Sequence, residues 1–171
     1  MVSFTDAVEV WDRLDYQLLQ DGAVTLYFNV DILQEDCEWL KQHNYKVRGL
    51  DAANWTDEAA FHADVKRILE FPSYYGENLN AFSDCLSDLD MDDDGGYAIA
   101  ILRFDSFFRA MPDRAQAVLD IIETNSRRFL LIGKRLMALV QTDNPRTVYE
   151  HVGCITPSWN PRERMERNRG L

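Results

Sequence analysis

Cysteine is scarce in this sequence, and long apolar runs are missing. The three cysteines, Cys37, Cys85 and Cys154, are far apart and odd in number, which excludes a disulfide framework and a CxxC metal motif. We interpret them as free thiols in a reducing compartment. No apolar run approaches the roughly 20 residues that span a bilayer, and the first residues lack the basic segment of a signal peptide. We therefore expect a cytoplasmic protein with no membrane partner.

Catalytic motifs are also missing. The three histidines, His43, His62 and His151, do not have the spacing of metal ligands, and the sequence contains neither GxSxG nor a phosphate-binding loop. These observations give no support to an enzyme. We predict a protein without catalytic residues and without a cofactor.

Basic residues are absent from one stretch of the chain. The net charge is −11, and no lysine or arginine lies between Ile68 and Leu102. The acidic residues of this stretch are Glu70, Glu77, Asp84, Asp88, Asp90, Asp92, Asp93 and Asp94. Residues 1–126 carry 25 acidic and 9 basic side chains, whereas residues 127–171 carry 4 and 9. Such a stretch is typical either of a solvated face or of a surface that attracts a basic partner, and it argues against direct nucleic-acid binding.

The composition is that of a folded domain. With 171 residues, of which 46% are hydrophobic and 12% aromatic, the chain is long enough to bury one sizeable core. The spacing of apolar residues predicts a helix over 4–19 that ends at Gly22, a strand over 23–28, a helix over 31–43 and a strand over 45–50. The N-terminal part thus forms a β-α-β unit.

The rest of the chain continues this alternation. Its expected elements are a helix capped by Thr56 and stopped by Pro72, a helix over 78–89, a strand over 97–102, helices that begin at Asp105 and Pro112, and a strand over 129–132. Residues 136–141 are expected to form a hairpin with that last strand. Alternating strands and helices favour an α/β fold with a largely parallel sheet. The polar tail from Pro157 is expected to be loosely held or to form a short helix.

The segment 71–86, FPSYYGENLNAFSDCL, resembles the signature of the barstar family of ribonuclease inhibitors. The matching residues are Tyr74, Tyr75, Gly76, Glu77, Asn78, Leu79, Asp84 and Cys85. The resemblance extends more weakly over 45–133. It leaves two parts outside the family pattern, an N-terminal extension (1–44) and a C-terminal part (134–171) with an extra strand and a basic tail. We expect all three parts to form a single domain. The resemblance implies a barstar-like, largely parallel sheet packed with helices and extended by an N-terminal helix and a β-α pair.

The resemblance also implies a function, namely occlusion of the active site of a basic ribonuclease, as in immunity against a nuclease toxin. A ribonuclease binds a phosphodiester with cationic side chains, and a carboxylate can take the phosphate position. By resemblance, Asp84 is the central phosphate mimic, Tyr74 and Tyr75 pack against the catalytic cleft, and Gly76 and Asn78 shape the interface.

The helix after this loop completes the predicted surface. Its apolar spacing places Asn80, Ser83, Asp84, Ser87 and Asp88 away from the core. The predicted partner-binding residues are therefore Tyr74, Tyr75, Gly76, Asn78, Asn80, Ser83, Asp84, Ser87, Asp88 and Glu123. Asn80 and Ser83 stand where the family pattern has an acid and a tryptophan, and Glu123 is an approximate substitute for a later acid. These differences predict a different nuclease target.

Two alternatives remain open at this stage. A non-inhibitory interaction module would use the same acidic face. A calcium loop would use Asp90, Asp92 and Asp94, with Gly95 at the sixth position, but its twelfth position is Ile101 instead of a bidentate glutamate. The commoner interpretation of these aspartates is an acidic turn at the rim of the binding surface.

Overall fold

A computed structural model of the chain describes residues 8–92, 94–153 and 155–171. Asp93, Cys154 and the first part (4–7) of the helix predicted over 4–19 lie outside these ranges. The strands are β1 (Val24–Tyr27), β2 (Tyr45–Asp51), β3 (Gly96–Leu102), β4 (Leu136–Gln141) and β5 (Ser158–Trp159). The α-helices of the described ranges are α1 (Val8–Trp11), α2 (Leu14–Leu19), α3 (Val30–Gln42), α4 (Glu58–Ile68), α5 (Leu79–Ser87), α6 (Phe104–Ala110) and α7 (Pro112–Leu131). Short 3₁₀ helices lie at Ala52–Asn54 and Glu166–Arg169.

The five strands named above pair in parallel in the order β2-β3-β4-β1-β5, and an isolated antiparallel bridge joins Val152 to Ile155. The predicted α/β class is therefore confirmed. β3 and β4 are buried almost throughout because helices cover both faces of the sheet. Tyr97 and Ile99 lie in the larger core with α4 to α7, whereas Ala98 and Ala100 lie in the smaller core with α2 and α3. No helix among the described residues is long and apolar enough to cross a membrane.

The predicted strand over 129–132 is wrong. Phe129 continues the buried stripe of α7 that includes Val118 and Ile122. The helix ends at Leu131, shortly before Gly133, whose φ is +80°. The predicted hairpin is wrong for the same reason. Because the 20-residue helix returns the chain to the start of the sheet, β4 enters parallel to β3 and lies between β3 and β1.

Two helix boundaries also differ from expectation. The predicted helix over 4–19 consists, in its described part, of the two short helices α1 and α2. Asp57, rather than Thr56, caps α4, since its carboxylate accepts a hydrogen bond of 2.8 Å from the backbone N–H of Ala60. This helix ends at Ile68, before Pro72 is reached.

The C-terminal tail (157–171) is bound to the N-terminal extension instead of being loosely held. β5 pairs with β1, and the buried carboxylate of Glu163 accepts a hydrogen bond of 2.8 Å from the backbone N–H of Asn29. Arg162 lies 2.5 Å from the carboxylate of Asp36, which also accepts a hydrogen bond from the Tyr27 hydroxyl. The basic charge of the tail thus neutralises acids of the extension.

Candidate partner-binding surface

The loop before α5 is held by short polar contacts. Asn78 caps the helix by accepting a hydrogen bond of 2.9 Å from the backbone N–H of Ala81, and its amide donates to the carbonyl of Gly76 at 3.1 Å. Glu77 forms an ion pair of 3.1 Å with Lys66 of α4. Glu77 has a φ of +50°, in the left-handed region that non-glycine residues seldom adopt. Asn78 and Glu77 thus fix the direction in which the chain enters α5.

The two adjacent tyrosines of this loop have opposite environments. The Tyr74 side chain is 82% exposed, whereas Tyr75 is only 4% exposed and packs against Phe71. The Tyr75 hydroxyl lies 2.5 Å from Nδ1 of His62, and burial raises the pKa of this phenol above its usual range. Tyr75 therefore anchors the loop, and its ring is buried although the sequence analysis placed it on the partner-binding surface. Tyr74 is the aromatic side chain that the loop presents to solvent.

The outward face of α5 is polar, as its spacing predicted. Phe82 and Leu86 are buried in the core. We use the name α5 face for the exposed residues of the opposite side, which are Asn80, Asp84, Ser87 and Asp88. Ser83 is half-buried, and its hydroxyl accepts a hydrogen bond of 3.2 Å from the side-chain amide of Asn125 on α7. The α5 face is therefore fixed against α7 along one side.

The carboxylates of the α5 face are exposed and have no ion-pair partner among the described residues. Within the described ranges, no cation forms an ion pair with Asp84 or Asp88 of this face or with Asp90 beyond it, whereas Glu77 in the loop before α5 is paired with Lys66. Burial raises the pKa of the Cys85 thiol, and the negative charges of Asp88 and Asp84 raise it further. The thiol therefore stays protonated near neutral pH. Cationic groups of a partner would meet carboxylates that no internal cation neutralises.

Glu123 does not belong to this surface. Its side chain is buried, and its carboxylate accepts hydrogen bonds from the backbone N–H of Ala23 at 2.6 Å and from Nε of Arg127 at 2.9 Å. Glu123 was predicted to lie on the partner-binding surface, whereas the structure buries it among internal hydrogen-bond donors. Its role is to join α7 to the start of β1, a contact between residues 100 positions apart that no local pattern reveals.

Two supporting residues were not predicted. His62 holds Tyr75, and Asn125 holds Ser83. A signal for His62 does exist, since it follows Phe61 and precedes Val65 by three positions on the buried side of α4. Asn125 has no comparable signal, because a polar residue within a long amphipathic helix is usually exposed.

The acidic turn after α5 has no support as a metal site. Ile101, at the twelfth position of the calcium pattern, is buried in β3. Outside residues 1–7, 93 and 154, no group of three or more histidine, cysteine, aspartate or glutamate side chains is arranged to hold a metal ion. The backbone carbonyl of Met91 accepts a hydrogen bond of 2.8 Å from Lys134, which ties the turn to the connection between α7 and β4.

Comparison with known proteins identifies one family. The family model described as Barstar (barnase inhibitor) matches residues 45–141, which include β2, β3, β4, α5 and the loop before α5. No curated protein matches the chain. A solved structure, that of Drosophila ORC bound to AT-rich DNA and Cdc6, contains a chain with 14% identity and a TM-score of 0.44. The alignment covers 73% of this chain and 41% of that one, and so weak a likeness bears on neither fold nor function.

Proposed function

Because this chain belongs to the barstar (barnase inhibitor) family, we propose that it binds a basic ribonuclease and occludes its active site. One observation carries the proposal. Asp84 lies exposed on a fixed helix, and within the described ranges it has no cation partner. A carboxylate in this state can take the place of the phosphate that a ribonuclease binds with arginine, lysine and histidine.

Inhibition of this kind requires no chemistry by the inhibitor. The ring of Tyr74 adds rigid apolar contact area beside the carboxylate at a small cost in side-chain entropy. The excess of acidic over basic side chains between residues 1 and 126 attracts a basic partner over a longer range. Positioning and charge complementarity are sufficient for the proposed function.

The α5 face favours a target other than the one typical of the family pattern. Asn80 and Ser83 replace an acid and a large aromatic side chain, while Asp88 adds an exposed carboxylate at the end of the helix. We propose a nuclease toxin as the target, with this chain as the immunity protein in the reducing cytoplasm, where Cys37 and Cys85 stay as free thiols.

The decisive experiment combines the purified chain with candidate small basic ribonucleases, including any that are encoded beside it. RNA cleavage and complex formation are measured for the wild type, for Asp84→Asn and for Asp31→Asn, a control with the same charge change on α3 at the opposite face of the sheet. We expect Asp84→Asn to lose about tenfold or more in affinity, as for loss of a charge-assisted contact, and Asp31→Asn to match the wild type.

Two outcomes would contradict the proposal. If no ribonuclease is bound or inhibited, the chain is no ribonuclease inhibitor. If a nuclease is bound through the α5 face and still cleaves RNA at the full rate, the chain is a non-inhibitory interaction module, which is the second candidate because it would use the same unpaired carboxylates.

A further inference from the structure

A pocket of about 330 Å³ lies beside the α5 face. Phe71, Tyr74 and Tyr97 give it aromatic walls, and Cys85 of α5 and Leu89, just after this helix, complete its apolar lining. Its volume lies at the lower limit of small-molecule sites, so it fits one long side chain better than a larger ligand. The exposed ring of Tyr74 forms one of its borders.

Acidic side chains outnumber basic ones among the residues that line the pocket. Glu70 is already paired with Arg48 at a distance of 2.7 Å. Asp88 and Asp90, which also line the pocket, form no ion pair within the described part of the chain, and Lys46 is the one cation among the lining residues. The pocket therefore combines aromatic surfaces with two carboxylates that no internal ion pair neutralises.

From this combination we propose that the pocket binds an arginine side chain of the partner protein. A guanidinium group is planar and stacks on aromatic rings such as Tyr74, and its fork of N–H donors matches carboxylates such as Asp88 and Asp90. Its apolar stem would lie against Cys85 and Leu89. Lysine fits less well, since its compact ammonium is more strongly hydrated and presents no flat surface.

This inference deepens the proposed function by naming a second anchor beside Asp84. In a complex, Asp84 would meet the cationic catalytic cleft, while the pocket, which shares Tyr74 with that contact, would hold an arginine at the edge of the cleft. The two anchors are neighbours, but Asp84 does not line the pocket, so that Asp84→Asn tests the first anchor and Lys46→Gln tests the second. The pocket would thereby contribute to the choice between basic ribonucleases that share the same catalytic residues.

The test uses the isolated protein and a defined probe. N-acetyl-arginine amide is titrated into the ¹⁵N-labelled chain, with N-acetyl-citrulline amide as the neutral analogue of the same shape. We expect saturable shifts of the amide resonances of Tyr74, Cys85 and Leu89 with the arginine probe, and binding about tenfold weaker with citrulline, which lacks the charge-assisted contact.

Three variants test which charged side chains determine the affinity for the arginine probe. Asp88→Asn is expected to weaken binding of the arginine probe several-fold, whereas Lys46→Gln, which removes the opposing cation, is expected to strengthen it. Asp31→Asn is the matched control and is expected to leave binding unchanged. Because Lys46→Gln predicts a gain, a loss of folding cannot imitate the expected result.

The proposal is overturned if no saturable shifts occur at the pocket, or if citrulline binds as well as arginine. These outcomes are separable from those of the ribonuclease assay. If the pocket binds arginine but no nuclease is inhibited, the pocket proposal stands and the proposed function is refuted. If a nuclease is inhibited and Asp88→Asn and Lys46→Gln leave that inhibition unchanged, the proposed function stands and the pocket proposal is refuted.

Discussion

The hydroxyl of Tyr75 lies 2.5 Å from Nδ1 of His62 inside the core, while the ring of the preceding residue, Tyr74, is 82% exposed. One tyrosine thus fixes the loop and its neighbour is free to contact a partner. Variants of Tyr75 should therefore change the stability of the protein, and variants of Tyr74 should change its affinity for a partner.

Substitution of the two tyrosines should therefore have opposite consequences. Tyr75→Phe removes the hydroxyl from His62 and should lower the free energy of unfolding by about 1–3 kcal/mol, because a buried polar atom loses its partner. Tyr74→Ala should leave stability within about 0.5 kcal/mol of the wild type and weaken ribonuclease binding. Urea denaturation and binding titrations on the same samples would check both. A stability loss in Tyr74→Ala equal to that in Tyr75→Phe would contradict the assignment.

The stability of the protein should fall in mild acid because of His62. Burial lowers the pKa of His62, against the opposing effect of Glu58 and Glu77. The unfolded chain, with a histidine pKa of about 6.5, then binds a proton at a higher pH than the folded chain does. The contribution of neutral His62 is therefore fully present above about pH 6.5 and is lost as the pH falls towards the lowered folded-state pKa.

The measurement for His62 is the free energy of unfolding between pH 7.5 and pH 5, compared with that of His62→Gln. The variant cannot titrate at this position, so its curve should be flatter over this range, by at most about 1.4 kcal/mol per pH unit. His151→Gln, at an exposed position, is the control and should follow the wild type. Parallel curves for the wild type and His62→Gln would show that His62 is not the sensitive group.

Glu123 should matter for folding and not for the partner. Its replacement by alanine removes the acceptor of the Ala23 N–H and the carboxylate that Nε of Arg127 contacts, and we expect a loss of about 2–4 kcal/mol in stability. Glu150→Ala, at an exposed loop position, should cost less than about 0.5 kcal/mol. Thermal or urea unfolding provides the measurement. If a folded Glu123→Ala protein loses affinity for the ribonuclease, Glu123 contributes to partner binding after all.

Glu163 should hold the C-terminal tail onto the sheet. Its buried carboxylate accepts the backbone N–H groups of Phe28 and Asn29, and Glu163→Gln should cost about 1–3 kcal/mol because the charge-assisted contacts are lost. Glu166→Gln, at an exposed position of the same tail, is the matched control. Hydrogen exchange at Phe28 and Asn29 would report release of the tail directly. Equal exchange in both variants would show that Glu163 does not hold it.

Local patterns predicted the elements whose residues contact near neighbours in sequence. The buried positions of Phe82 and Leu86 and the exposure of Asp84 follow from the 3.6-residue period of one helix. The predicted start of this helix near residue 78 also depends on a local contact, since the Asn78 side chain caps it by reaching a backbone group three residues away. The fold class and the position of the α5 face were predictable for this reason.

Short apolar runs and isolated polar residues were not predictable in the same way. Phe129 and its neighbours are as apolar as a buried strand, and only packing of the whole of α7 against the sheet decides that they are helical. Tyr74 and Tyr75 are equivalent in sequence terms, and only the folded structure shows that Tyr75 is the one that packs against Phe71 and reaches His62.

The sequence by itself determined the barstar-type segment and the exposed, acidic outer face of α5, because these depend on residue identity and helical spacing alone. Tertiary structure decided that Tyr74 is presented while Tyr75 is buried, and that Glu123 binds Ala23. It also decided that the basic tail neutralises the N-terminal extension. Each of these contacts joins residues that are neighbours only after folding, where burial makes a hydrogen bond or an ion pair costly to leave unmade.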